Sequence, residues 1–136
     1  MTLKTSGATM ALVLPFSPAA AAVARRELGL WLEQVADCDE RGVDECALVV
    51  SELVGNAVRH AQPLANGTVE VSWQKRTDGL DIAVTDGGAD TRPHKVDAGL
   101  SSLSGRGLAI VEAVTGRWWV ESDHTRTTVH ALISSR

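Results

Sequence analysis

The spacing of the apolar residues changes near the middle of this chain, and that change constrains the fold more than any other feature. In two stretches between Ser17 and Ala61, apolar residues recur every three or four positions, which is the period of an amphipathic helix. From Val69 onward they alternate with polar residues, which is the period of a strand with one buried face. A chain with both patterns is expected to pack helices against a sheet.

Two helices are predicted in the first half of the chain. Ser17 suits the N-cap of the first helix, with Pro18 at the first helical position, where a missing N–H costs nothing. The second helix is predicted over Val43–Ala61, and Pro63 helps to end it. A third, short helix is predicted over Gly107–Thr115.

Five strands are predicted around these helices. The strongest local signal is Asp78-Gly79, a hairpin turn between two alternating segments. Sequential hairpins favour antiparallel pairing, so we expect an α/β fold, a two-layer sandwich in which a mixed, mostly antiparallel sheet is covered on one face by three helices. The predicted strands are Met10–Phe16, Val69–Trp73, Leu80–Thr85, Arg117–Ser122 and Thr127–Ile133.

The length of 136 residues fits a single domain. We expect that domain to occupy residues 10–136, after a flexible segment at residues 1–9. Residues 86–105 are rich in Gly, Asp, Ser and Thr and have no clear period. They predict a long loop, and loops of this length in compact domains are usually functional or mobile.

Composition and charge exclude several classes of function. The net charge is −4 and the basic residues are scattered, so the basic surface that nucleic-acid binding requires is not expected. No apolar stretch approaches the ~20 residues of a membrane span, and Pro15 and Pro18 interrupt the segment most like a signal peptide. Cys38 and Cys46 are interpreted as reduced thiols. We therefore expect a cytoplasmic protein that binds neither nucleic acid nor membrane.

The predicted second helix carries the first candidate site. Glu52 and Asn56 are four residues apart and so share one face of the helix. One interpretation is a solvated polar face, opposite the apolar stripe. Asn56 and Gly55 are both poor residues for a helix interior, however, and a ligand approaching closely would explain them. Asn offers a neutral oxygen to Mg²⁺, and a Glu one turn away could deprotonate a hydroxyl.

Two glycine-rich segments are the other candidates. Asp86-Gly87-Gly88 follows a predicted strand; it is either a simple turn or a site where Asp86 accepts a hydrogen bond from an exocyclic amine and Gly88 leaves room for a flat base. Gly105-Arg106-Gly107-Leu108 opens the predicted third helix, where main-chain N–H groups could meet phosphate oxygens. The sequence contains neither a Rossmann fingerprint nor a Walker A motif.

The order and spacing of these three segments resemble the ATPase superfamily that includes DNA gyrase, histidine kinases and mismatch-repair ATPases (GHKL), whose ATP-binding fold is called the Bergerat fold. The string from Val50 to Ala61, VSELVGNAVRHA, is most similar to the anti-sigma-factor serine/threonine kinase branch. The resemblance extends from about Phe16 to Leu132. Two departures are Asp90 and Arg126, which stand where the family often has glycine.

The resemblance implies a role for each matching residue. Asn56 would hold Mg²⁺ against the phosphates of ATP, Glu52 would be the general base, and Asp86 would bind the adenine amino group with Gly88 beside the base. Residues from about 90 to 106 would form a lid over ATP. The remaining implied contacts to the nucleotide are Gly105, Arg106, Gly107 and Leu108 near the phosphates, and Thr128 near the adenine.

The resemblance also implies a function, the ATP-dependent phosphorylation of a serine on an anti-anti-sigma protein. A sigma factor would be the second partner, and a homodimer is compatible with the family. An alternative is a module that binds ATP and a partner without transferring phosphate. A third interpretation, the catalytic domain of a histidine kinase, is disfavoured because only about fifteen residues precede the first predicted helix.

Overall fold

The computed structural model describes residues 2–6, 9–35, 40–88, 95–97, 117–123 and 125–134. Within these residues the chain forms two helices and seven strands. The helices are α1 (Ala20–Val35) and α2 (Glu40–His60). The strands are β1 (Thr2–Ser6), β2 (Thr9–Pro15), β3 (Thr68–Arg76), β4 (Gly79–Asp86), β5 (Lys95–Asp97), β6 (Arg117–Ser122) and β7 (Thr127–Ser134).

The seven strands belong to one sheet with the order β1-β2-β3-β4-β7-β6-β5. Each neighbouring pair of described strands is antiparallel. The central pair, β4 and β7, joins strands that are far apart in the sequence. Its register places Asp86, the last residue of β4, directly opposite Thr127, the first residue of β7.

Alternation along the strands sorts the side chains onto two faces of the sheet. One face packs against the helices: α2 lies over β3, β4 and β7, and α1 lies over β2. This face supplies the core, and its largest fully buried side chains include Trp73, Trp118, Leu12, Leu14 and Ile82. The opposite face, which we call the open face, is covered by neither described helix. The predicted two-layer sandwich is therefore confirmed.

The apolar stripe of α2 lies against the sheet. Its buried apolar residues are Cys46, Val49, Val50, Leu53, Val54 and Ala57, at the spacings of three and four that predicted the helix. α1 packs alongside, and Arg25 Nη1 donates a hydrogen bond to Ser51 Oγ at 3.3 Å. Trp31 of α1 meets Trp73 of β3 edge to face, with ring centroids 6.3 Å apart. Such aromatic pairs add about 0.5–1.5 kcal/mol to the stability gained from burial.

α1 begins slightly later than the sequence predicts. The N–H of Ala20 donates to the carbonyl oxygen of Ser17 at 3.0 Å, so a turn precedes the first helical residue. The predicted second helix and all five predicted strands are present, with ends that differ by a few residues. The predicted third helix, Gly107–Thr115, lies outside the described residues.

The structure has two short strands that the sequence does not predict. β1 occupies Thr2–Ser6, within the segment expected to be flexible, and pairs with β2 from Thr2↔Val13 to Ser6↔Thr9. β5, Lys95–Asp97, lies within the expected long loop and pairs with β6. Both are edge strands, which main-chain hydrogen bonds hold on one side only. Such strands need no strong apolar alternation, so their sequences carry little signal.

Candidate functional site

The structure joins the end of α2 to the end of β4. Two main-chain hydrogen bonds connect the residues that follow these elements: Gly87 N donates to Gln62 O at 2.7 Å, and Gln62 N donates to Gly88 O at 3.0 Å. The sheet end that carries Asp86 therefore abuts the end of the helix that carries Asn56. We call this region the site end of the sandwich.

Asn56 is buried, with 8% of its surface exposed. Its Oδ1 atom accepts no hydrogen bond within the described residues. The interpretation of a solvated polar face is therefore wrong for Asn56, which lies at the border of the apolar stripe beside Ala57. A buried acceptor without a donor costs about 1–3 kcal/mol, so this oxygen needs a compensating partner.

Two other buried polar atoms of the described residues also have no partner, Trp31 Nε1 and Trp73 Nε1. Both are donors and belong to the edge-to-face pair in the core. Asn56 Oδ1 differs from them because it is an oxygen acceptor and lies at the site end. It is therefore the orphaned atom that could bind a cation.

Glu52 lies one turn before Asn56 on α2 and is partly exposed. No ion pair engages its carboxylate among the residues that the structure describes. A carboxylate in this position remains available to accept a proton or to orient a polar group.

Gly55 lies beneath the side chain of Arg59 on α2. A Cβ built on Gly55 would lie 3.1 Å from Nη1 of Arg59, whose side chain folds back along the helix. Because these atoms are the flexible end of an exposed side chain, this contact does not by itself require a glycine at position 55.

Asp86 is a buried carboxylic acid, with 4% of its surface exposed. It continues the alternation of Ile82 and Val84, so its side chain lies on the face that packs against the helices. Burial raises the pKa of Asp86 to about 6, and the hydrogen bond that Gly88 N donates to its Oδ1 at 2.7 Å acts in the opposite direction. A carboxylate has capacity for more than one donor, so Asp86 can accept a further hydrogen bond.

Gly88 and Thr127 complete the surroundings of Asp86. Gly88 has φ +88°, a conformation that side-chain-bearing residues rarely adopt, and a Cβ there would lie 3.4 Å from Thr127 Oγ1. Thr127 stands opposite Asp86 in the register, and its hydroxyl also pairs with Ser122 Oγ at 3.0 Å. The hydroxyl of Thr127 is therefore part of the site end.

Thr128, the threonine chosen from the sequence, lies on the other side of the sheet. Its Oγ1 is 2.8 Å from Oγ1 of Thr85, its register partner on the open face. The structure does not bring Thr128 to Asp86; it brings Thr127. The signal was available in the sequence of β7, because Val129, Ala131 and Ile133, which pack in or against the core, alternate in phase with position 127.

The candidate phosphate contacts Gly105, Arg106, Gly107 and Leu108 lie outside the described residues. So do Asp90 and, apart from strand β5, the predicted lid at about residues 90–106. Arg126, the other departure from the family pattern, pairs with Glu70 on the open face. Its N–H also donates to Asp123 Oδ1 at 2.9 Å, so it closes the β6–β7 turn.

The donor set at the site end suits a magnesium ion that arrives with phosphates. Among the described residues, no group of three or more His, Cys, Asp or Glu side chains could hold a metal ion. Mg²⁺ usually keeps several waters and takes only one or two protein oxygens in addition to substrate phosphates. The orphaned oxygen of Asn56 fits that requirement.

The comparison with protein families decides what kind of domain this is. Residues 14–133 match the histidine kinase-like ATPase domain. The chain belongs to this family. The matched segment of this ATPase domain runs from β2 to β7 and includes Glu52, Asn56, Asp86 and Thr127.

This chain also resembles a solved structure, that of the RsbU and RsbW domains of Rv1364c from Mycobacterium tuberculosis. The TM-score is 0.70 and the sequence identity is 23%, a level that shows a shared fold alone. The match covers 94% of this chain and 33% of the other, so this chain spans about a third of that protein's length. A comparison with curated proteins finds no match. Within the described residues, neither helix is long and apolar enough to cross a membrane.

Proposed function

We propose that the chain is an anti-sigma factor that binds ATP with Mg²⁺ and phosphorylates a serine of a protein antagonist, an anti-anti-sigma factor. The observation that carries the proposal is the buried Oδ1 of Asn56 at the site end, which has no hydrogen-bond partner in the part of the chain that the structure describes. The family match, the resemblance of VSELVGNAVRHA to anti-sigma-factor kinases and the fold shared with the RsbW-containing structure support it.

Each residue of the site end would have a distinct role. Asn56 would hold Mg²⁺, which neutralises phosphate charge when bound. Asp86 would accept a hydrogen bond from the adenine amino group while Gly88 holds its other oxygen. Thr127 would add a hydroxyl beside the base, and Glu52 would take the proton of the acceptor serine. Phosphoryl transfer depends mainly on positioning and charge neutralisation, which such a set provides.

The proposed phosphate contacts are Gly105, Arg106, Gly107 and Leu108. Residues 90–106 are the proposed lid over ATP. The proposed partners are a sigma factor and its antagonist, and the chain would act in the cytoplasm. A homodimer is compatible with this proposal.

Nucleotide binding is tested first, by thermal unfolding with and without ATP–Mg²⁺. A ligand at 100 times its Kd adds about 2.7 kcal/mol of stability, and we expect a shift of this order for the wild type. Asn56→Ala should lose most of the shift. Asn66→Ala, in the exposed turn before β3, is the matched control and should keep it.

Phosphoryl transfer is tested by incubation with labelled ATP, Mg²⁺ and a cognate anti-anti-sigma protein. Glu52→Gln should lower the transfer rate about 10²-fold or more while ATP still binds, because the general base is lost. Glu33→Gln, an exposed site on α1, should transfer at the wild-type rate. ATP binding without any transfer by the wild type would instead support the alternative, a regulatory module that sequesters a partner.

A further inference from the structure

The contact between the ends of α2 and β4 requires a glycine at position 87. A Cβ built on Gly87 would overlap the carbonyl oxygen of Pro63 and lie 2.8 Å from its carbonyl carbon and 3.0 Å from Gln62 O. These atoms are main chain, in a segment held by hydrogen bonds at Gln62, so they cannot move aside without shifting the backbone. At Gly55, by contrast, the nearest atoms belong to the flexible end of Arg59.

This close approach fixes the main chain that holds Asp86. The hydrogen bonds between Gly87 and Gln62 and between Gln62 and Gly88 fasten the segment to the end of α2. Gly88, in the same segment, donates to the Asp86 carboxylate. Any shift of residues 87–88 away from Pro63 is therefore expected to move the Asp86 carboxylate together with its donor, Gly88 N. The same shift would change the distance of both groups from Asn56.

We propose that Gly87 is a positioning residue for base recognition: its lack of a side chain lets the strand end seat against the Gln62–Pro63 main chain and so sets the orientation of Asp86. The inference rests on the proposed function, since the orientation matters only if a base lies against Asp86. Adenine presents a 6-amino donor to a carboxylate, whereas guanine presents a 6-oxo acceptor there, which a carboxylate repels. The preference for ATP over GTP therefore reports the orientation of Asp86.

The test measures the Kd of ATP–Mg²⁺ and of GTP–Mg²⁺ for the wild type, Gly87→Ala and Gly79→Ala. Gly79 is the matched control, because a Cβ there would also meet main chain, 2.9 Å from the carbonyl carbon of Ile133, at the opposite end of the same strand. We expect Gly87→Ala to lower the ATP-over-GTP preference about tenfold or more. Gly79→Ala should lower the unfolding temperature and leave the preference unchanged.

The ratio separates positioning from simple destabilisation. Partial unfolding removes binding sites for both nucleotides equally and leaves the ratio of the two Kd values as it was. A wild-type preference in Gly87→Ala would overturn the inference and leave the proposed function intact. Absence of ATP binding by the wild type would overturn the proposed function and the role of Gly87 in base recognition with it.

Amide hydrogen exchange on the wild type keeps the inference testable if Gly87→Ala does not fold. We expect the N–H groups of Gly87 and Gln62 to be protected to the same degree as those in the middle of α2. Rapid exchange at both amides, beside protected amides in α2 and β4, would show that the segment is not seated and would overturn the inference.

Discussion

The two ends of strand β4 differ in the side chains that they bury. At the Gly79 end, a hairpin joins β4 to β3 and the side chains on the core side are apolar. The charged groups at this end, such as Arg76 and Asp81, pair on the open face. At the Asp86 end a carboxylate lies on the core side, next to the helix end that carries the unpaired oxygen of Asn56. Apolar packing and buried polar groups therefore lie at opposite ends of one strand. This separation is expected if the polar end binds a ligand.

The largest effect is expected in the apolar part of the core. Trp73 is 1% exposed and packs edge to face on Trp31, so Trp73→Ala should lower the free energy of unfolding by about 3–5 kcal/mol. Trp119, which stacks on His130 at 4.7 Å on the open face, is the control. Urea unfolding should show a clearly smaller loss for Trp119→Ala. Equal losses would contradict the division between the two faces.

An intermediate effect is expected at Asp86. Burial raises its pKa in the folded state to about 6, above the value of 3.8 for an unperturbed aspartate. The folded protein therefore binds more protons than the unfolded chain between these values, so the contribution of Asp86 to stability is full below about pH 4 and is lost as the pH rises through about 6. Asp86→Asn removes this titration, and Asn can still accept the Gly88 N–H.

Between pH 4 and pH 7 the wild type should therefore lose roughly 1–2 kcal/mol of unfolding free energy that Asp86→Asn does not lose. Urea unfolding of both proteins at the two pH values measures this difference. The same variant should bind ATP at least about tenfold more weakly, because an amide NH₂ cannot accept from the adenine amine. Parallel pH profiles of the two proteins would contradict the burial of an ionisable group at this end.

The smallest effect is expected from a pair of threonines that differ only in the face they occupy. Thr127→Val removes a hydroxyl near Gly88 and should weaken ATP binding about three- to tenfold, the size of one neutral hydrogen bond. Thr128→Val removes the hydroxyl that pairs with Thr85 on the open face and should leave the Kd unchanged. Titration of both variants with ATP–Mg²⁺ decides the matter, and a reversed order would favour the assignment made from the sequence.

The sequence predicted most of the fold because its strongest signals are local. The helical stripe from Cys46 to Ala57, the hairpin at Asp78-Gly79 and the alternation around Val71 and Ile82 each depend on neighbours within a few residues. β1 and β5 escaped prediction because edge strands depend on pairing more than on burial. The pairing of β4 with β7, which joins the two halves of the sheet, is a long-range property that the pattern of a single sequence does not specify.

The candidate site was predicted less completely, for related reasons. Motif spacing predicts the site residues Glu52, Asn56, Asp86 and Gly88. The burial of Asn56 and the raised pKa of Asp86 depend instead on packing between elements, which the sequence pattern does not show. The choice between Thr127 and Thr128 required the register of β7. No local pattern marks Gly87, because its importance comes from Pro63, more than twenty positions earlier in the chain.

The adjacency of β4 and β7 has an evolutionary consequence. The chain leaves β4 at Asp86 and returns to its neighbour β7 at Thr127 by way of β6, which pairs with the other side of β7 and buries Trp118. Descendants of this domain can therefore change the segment between β4 and β6 only if β6 stays paired with β7, because Trp118 and Val120 of β6 are buried in the core.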